Sequence, residues 1–421
     1  QLSLAKQQVI DDFSKHVSSG KAAFFDQYKM QFVTAERSDC WLQDMDNKHK
    51  LFNLHCNGGV FNLGHRNPII ATALQEGINI CDIGNHHLLS QYRAKLAKQL
   101  VDTMPEKLSS VVFGVSGGEA VDLAIKLARG HTLRKKIVSI IGGYHGHTGL
   151  SVQAGDDKYR QPFNLQADGF EQVVFNDLKA MDKALDGQTA AVILETIPAT
   201  LGMLMPTDNY FERIRELCNQ RGILLILDEV QTGWGRTGKL WAFEHYNVIP
   251  DMVVLGKGMS GGFYPISATV VSEPLMAIFE QAPFAHISTF GGAELGCIVA
   301  SKVLEISASE EFLQHVNELA EEFSKQLSQI NQPPLKGFRQ QGLMMALEME
   351  SEIAGPVLTK TAYDQGLLMI YANNRPSAVQ FLPPLIMRLD DIPDIVKRLL
   401  KALKQARLLI PLLTVKDKLG F

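Results

Sequence analysis

A chain of 421 residues with 46% apolar and 20% charged side chains has ample material for a buried core, and at about 100–200 residues per domain it holds one large domain and a smaller one. Its 41 basic and 45 acidic residues, a formal charge of −4, exclude the basic surface that nucleic acid or an anionic membrane selects. Cys40, Cys56, Cys81, Cys218 and Cys297 are scattered with no C-x-x-C, which reads as reduced thiols in a cytoplasmic protein, not a disulfide or zinc framework.

The start, QLSLAKQQVIDDF, carries charges within its first dozen residues and no apolar signal core. The missing initiator Met is expected of an incomplete or processed start. No apolar run reaches the roughly 18 residues of a membrane span, and RLLIPLLTV is short and interrupted by Pro411. Residues 4–17 have helical apolar spacing, with Ser18-Ser19-Gly20 as the expected stop. Short alternating runs from 31 to 65 fit a small meander. From 66 to 310, helical periods alternate with SSVVFGV, KKIVSIIG, FEQVVF, AAVILE, ILLILDE, DMVVLGK and SATVV, the pattern of an α/β domain with a mainly parallel sheet. The last stretch opens with the amphipathic EEFLQHVNELAEEFSKQLSQI, passes through mixed strands and closes on IPDIVKRLLKALKQARLL. The expected division is a large α/β domain at 66–310 and a smaller α+β domain built from both chain ends, 1–65 and 311–421.

In a parallel sheet, ligands bind beyond the carboxyl ends of the strands, so polar residues directly after apolar runs carry the information. In VVFGVSGGEAVDLAIKLARG a strand leads through Ser116, Gly117 and Gly118 into a helix. That is either a tight turn or a cradle in which backbone N–H groups meet a phosphate at the helix start. In ILLILDEVQTGWGRTG, Asp228 follows five aliphatic residues. It is either a satisfied turn or cap residue, or a carboxylate held for a cationic partner such as a protonated ring nitrogen. In DMVVLGKGMSGG, Lys257 ends another strand one βα unit later; alone, it reads as a surface-loop lysine. Together the three meet the needs of pyridoxal phosphate: a phosphate to anchor, a pyridine nitrogen to keep protonated and an aldehyde to hold as a Schiff base.

SGGEAVDLAIKLAR, GGYHGHT, ILDEVQTGWGRTG, LGKGMSGG and STFGG resemble the successive motifs of class III pyridoxal-phosphate aminotransferases of fold type I, a similarity running from NGGVFNLGHRNP to QFLPPL. The resemblance implies that Lys257 holds the aldehyde and Asp228 pairs with the ring nitrogen. It places Ser116, Gly117 and Gly118 at the phosphate, Tyr144 and Val230 on the two ring faces, Gln231 near the ring hydroxyl and Glu195 beside the cofactor. Thr289 would reach the phosphate of a neighbouring subunit, which implies a homodimer with shared active sites. The implied reaction is ping-pong transfer of an amino group from an amine donor to a carbonyl acceptor, with the lysine amine moving the proton. A racemase or aminomutase with the same cofactor is the alternative.

Ornithine- and 4-aminobutyrate-type members often place an arginine where this chain has Gln380, and an acid where ETIPAT has Thr200. His147 stands where they often have arginine, and it is mostly neutral near pH 7. The loop NGGV puts Gly58 and Gly59 where some amine-preferring relatives carry a bulky aromatic, a roomier pocket in which Gly59 and Val60 would meet the substrate. The expected substrate is therefore not a simple dicarboxylic amino acid but an ω-amine, a polyamine or the carbonyl form of a larger biosynthetic intermediate, a carrier-bound one included. Arg375 is read as a surface-loop residue, with carboxylate recognition as its other role. His86-His87 and His145-x-His147 lack acids or cysteines at ligand spacing, so no metal is expected.

Overall fold

The structure, a computed structural model, describes residues 2–419, with side chains as far as residue 413. Gln1, Gly420 and Phe421, the outermost residues of the expected segments, lie outside the described residues. Ser3 caps the first helix, Leu4–His16, by accepting from the Lys6 N–H. The expected stop is instead a second start: the Ser18 side chain accepts from the Lys21 N–H and opens helix Ser19–Gln27. Serine in extended backbone favours a helix start as readily as an end, and only the residues behind it decide which.

Strands β1 (Thr34–Ser38), β2 (Trp41–Asp44) and β3 (Lys50–Asn53) form an antiparallel meander. Trp41 faces Phe52 across β2 and β3, ring edge to ring face at 5.0 Å.

The main sheet contains β4 (Leu108–Gly114), β5 (Lys136–Ile140), β6 (Phe170–Val173), β7 (Thr189–Glu195), β8 (Leu224–Asp228), β9 (Met252–Leu255) and β10 (Ser267–Ser272), in the order β4-β10-β9-β8-β7-β5-β6. Strand β10 is antiparallel to both neighbours, and the β9-β8-β7-β5-β6 pairs are parallel. All seven apolar runs read as strands enter this sheet. Alternate side chains serve its two faces. Ile193, Ile226 and Val254 pack with Val121, Ile125 and Ala128 of helix Gly117–Thr132. Val192, Leu194, Leu225, Leu227 and Val253 join Phe211 and Ile214 of helix Tyr210–Arg221 on the other face. With both faces covered, the strands read as unbroken apolar runs, and each fully buried Val, Ile or Leu contributes roughly 1.5–3 kcal/mol.

Beyond helices Glu294–Ser307 and Glu310–Leu327, β11 (Leu335–Gln341) and β12 (Met344–Met349) begin a third sheet. Helix Ala354–Asp364 precedes β13 (Leu367–Leu368), β14 (Ile370–Ala372) and β15 (Arg375–Phe381), and the third sheet runs β11-β12-β15-β14. Strand β13 instead pairs in parallel with β3, and the Leu54 N–H donates to the Leu368 carbonyl at 3.0 Å. The two ends of the chain thus share one sheet. Among the described residues, no helix is long and apolar enough to cross a membrane.

Candidate active site

The strand directions bring the ends of β5, β7, β8 and β9 to one edge of the main sheet, where β4 also ends. Asp228 closes β8 and Glu195 closes β7, and the two are register partners. Tyr144 and His145 follow β5, Lys257 lies two residues past the end of β9, and Ser116 follows β4. A cavity of about 410 Å³ opens between them, with Lys257, Asp228, Gln231 and Glu195 on one part of its wall and Tyr144, His145 and His147 on another. Ser116, Gly117, Gly118 and Val230 line it as well.

Ser116 accepts from the Glu119 N–H, and the Glu119 carboxylate accepts from the Val115 N–H at 2.7 Å, which fixes the entry to helix Gly117–Thr132. A Cβ on Gly117 would stand 3.2 Å from both γ carbons of Val230, and one on Gly118 would stand 2.8 Å from Thr148 Oγ1. Gly146, at φ +106°, leaves only 2.7 Å between its Cβ position and the Gly118 Cα. The bare backbone of the helix start therefore lines the cavity, and first-turn N–H groups without intrahelical partners are the kind of donors that suit an anion.

Asp228 is 6% exposed. Its Oδ1 accepts from the Val230 N–H at 3.0 Å and its Oδ2 lies 2.8 Å from His145 Nδ1. A carboxylate only accepts, so Nδ1 carries the proton. Burial works against a charge on His145, but the hydrogen bond and charge of Asp228, reinforced by Glu195, outweigh it and raise the imidazole above its ordinary value. Its Nε2 is buried with no hydrogen-bond partner. Lys257 donates from Nζ to Gln231 Oε1 at 2.7 Å. Burial pushes its ammonium below the usual lysine range, against the pull of Asp228 and Glu195. Its backbone sits at φ 42°, in the left-handed region where strain gathers at functional sites.

Tyr144 presents an open ring, 36% exposed. His147 sits between it and Tyr159 with tilted rings, at 5.0 and 4.7 Å. Partial desolvation there holds the His147 imidazole below its usual value. His145 and His147 thus face different surroundings.

Gln380, 8% exposed, accepts from Gln231 Nε2 at 3.5 Å. The Thr200 hydroxyl turns to the Gly142 carbonyl at 2.7 Å, an acceptor it shares with the Asn374 side chain. Arg375 is bound to Glu348 at 2.9 Å, and the same carboxylate holds Arg339 at 2.7 Å. Gly59, at φ +112°, packs near Asn62, and Val60 lines a neighbouring cavity of about 310 Å³ that meets the first at Lys257. Thr289 is on the surface. Sequence reasoning missed His145 as a partner of Asp228; its only signal was its position one residue past Tyr144 at the end of a strand.

Residues 24–403 match the family model described as aminotransferase class-III. The chain belongs to the class-III aminotransferases. This aminotransferase is 52% identical over 403 residues to an uncharacterized aminotransferase of Archaeoglobus fulgidus, covering 95% of each chain. Its fold is that of the ornithine aminotransferase from Toxoplasma gondii, with a TM-score of 0.86 at 24% identity over 99% of this chain and 97% of the other. The taurine:2-oxoglutarate aminotransferase from Bifidobacterium kashiwanohense, solved with PLP and glutamate, superposes with a TM-score of 0.85 at 24% identity, covering 96% and 98%. The family is pyridoxal-phosphate dependent, and the glycine cradle, the strand-end acid and the desolvated lysine of this aminotransferase fit that cofactor.

Proposed function

We propose that this enzyme moves an amino group between an ω-amine, or a larger amine-bearing intermediate, and a carbonyl acceptor, and that simple dicarboxylic amino acids are not its main substrates. The observation that carries this reading is that no guanidinium stands ready for a carboxylate beside Lys257. Gln231 and Gln380 offer amides, Thr200 is turned away, and among the described residues no arginine lines the cavity. A carboxylate is gripped best by a bidentate guanidinium, and Arg375 is engaged by Glu348 instead. The two structural relatives act by name on ornithine and on taurine, and likeness at 24% identity speaks for the fold alone.

In this reading the N–H groups of Gly117 and Gly118 and the Ser116 side chain bind the phosphate. Tyr144 and Val230 would hold the ring, Asp228 would keep its nitrogen protonated, and Gln231 would meet its hydroxyl. Bound pyridoxal phosphate supplies an electron sink for a carbanion. Lys257, small-gated by Gly58 and partly desolvated, is a neutral amine for a larger share of the time than a surface lysine and so serves as the base and then the acid for the substrate Cα proton. Glu195 lines the same cavity beside Asp228. Two copies pair, with Thr289 of one reaching the phosphate site of the other; the exposed Ile287 and Phe290 beside it, 53% and 56% accessible, support a buried place in a dimer.

The test is a set of half-reactions followed by cofactor absorbance with glutamate, alanine, putrescine and aromatic amines. Putrescine or an aromatic amine is expected to react faster than glutamate. Fast, tight turnover of glutamate alone would sink the proposal, and return of the amine to its own substrate with no carbonyl product would mark an isomerase.

A further inference from the structure

We propose that Glu195 is a positioning residue of the reaction: from the end of β7 it seats the Tyr144 backbone and, with Asp228, brackets His145, so that a row of three buried groups sets the charge turned toward the cofactor. This rests on the proposed pairing of Asp228 with the ring nitrogen.

Parallel pairing places Glu195 and Asp228 side by side at adjacent strand ends. Glu195 is 7% exposed, Asp228 6% and His145 3%. Two carboxylates at that depth are costly to desolvate unless each finds donors. Asp228 takes the His145 Nδ1 proton. Glu195 Oε1 accepts from the Tyr144 N–H at 2.7 Å, and Oε2 from the Ala199 N–H at 3.4 Å. The first of these bonds fixes the backbone from which the stacking ring projects. Glu195 is therefore tied to the ring face through the Tyr144 backbone and stands at the next strand end beside the ring nitrogen's acid.

The charged and titratable groups facing Glu195 are His145, Asp228, Lys257 and the Tyr144 phenol. Burial lifts its carboxyl to about 7, with His145 and the two N–H donors pulling it down and Asp228 pushing it up. Glu195 thus changes charge in the neutral range. When ionised it favours the cationic forms of His145 and Lys257; when protonated it withdraws that support.

The experiment compares the reconstituted wild type with Glu195→Gln, Glu195→Ala and Asp228→Asn, reading cofactor affinity, kcat, KM and the pH titration of the visible absorbance of the lysine-bound cofactor. Glu195→Gln keeps an oxygen for the Tyr144 N–H. It is expected to bind cofactor within about 3-fold of wild type while its absorbance titration moves to lower pH by about half a unit, roughly a 3-fold loss of proton affinity. Its kcat is expected to fall about 10-fold with KM little changed, as for an interaction made in the transition state. Glu195→Ala, which also loses the seat, is expected to weaken cofactor binding further. A titration of Glu195→Gln at the wild-type position overturns the electrostatic role, and equal cofactor affinity in the Ala and Gln variants overturns the seating role. Should either variant fail to fold, the unmutated holoenzyme decides: a second absorbance step near pH 7 is expected, and its absence overturns the proposal. Asp228→Asn without effect on cofactor binding or absorbance would instead refute the ring-nitrogen assignment.

Discussion

Gly58→Ala should disable the lysine while leaving the fold nearly intact. Gly58 sits at φ +68°, and a Cβ there would lie 2.6 Å from Lys257 Nζ and 3.2 Å from both Lys257 Cε and Gln231 Oε1. Placing an L-residue in the left-handed region costs about 1–2 kcal/mol. The contact adds little to that, because a lysine tip can swing aside. Relieving it requires a displacement of about 1 Å, which breaks the 2.7 Å bond from Lys257 to Gln231; a misplacement of that size at a reacting group costs on the order of 100-fold in rate. The expected result is therefore a fall of about 1–2 °C in melting temperature with about a 100-fold slower amine half-reaction in stopped-flow absorbance. Gly187→Ala is the control, since nothing lies within 4 Å of its Cβ position. A Gly58→Ala enzyme that reacts at the wild-type rate would refute the reasoning.

Arg236→Met should destabilise far more than it alters chemistry. The Arg236 guanidinium is fully buried and donates to the Leu343 and Pro383 carbonyls and to Asn62, at 3.1, 2.6 and 2.7 Å, clipping three chain segments together. Removing it strands those acceptors, so urea unfolding should show a loss of about 3–5 kcal/mol; a loss under about 1 kcal/mol would show that they repair themselves. Glu229→Gln tests a second buried acid, whose carboxyl burial raises from 4.5 to about 8 while Phe243 N–H and the Thr232 hydroxyl donate to it. The native state then holds a proton that the unfolded chain releases, so the wild type loses stability as pH rises from about 4.5 to 8. Glu229→Gln should flatten that part of the stability–pH profile, and an unchanged slope would count against the assignment.

Much of this architecture was legible in the chain because parallel strands buried on both faces must be apolar throughout. Val192, Ile193 and Leu194 could scarcely be anything but interior strand. For the same reason the residues that break such runs stood out: Asp228 ends one and Lys257 follows another. Strand order was not legible, since β10 is inserted between β9 and β4 by a pairing with β4 more than 150 positions earlier. His145 was equally hidden. A histidine two positions from another invites thought of a metal, and only the sheet shows that it lies against an acid 83 positions later. Ser18 misled because a cap side chain marks a boundary without saying on which side the helix lies.

Gln380, Thr200 and Arg375 show why substrate choice was harder to read than chemistry. Gln380 and Thr200 were singled out by a difference from charged relatives and Arg375 as a cation that could meet a carboxylate, yet what each does depends on a neighbour that sequence does not place next to it. Thr200 shares the Gly142 carbonyl with Asn374, and the Asn374 N–H returns to the Thr200 carbonyl at 3.0 Å. The loop after β7 is thereby fastened to the turn that carries Arg375. That arginine leans on Glu348 together with Arg339, all three on the sheet that also presents Gln380. An isolated charge introduced at Gln380 would meet an amide at 3.5 Å and no acid in place of Thr200, and burying it unpaired would be costly. On the proposed reading, specificity is therefore a property of this fastened wall, since a single cation placed at Gln380 finds no acid at Thr200 to pair with.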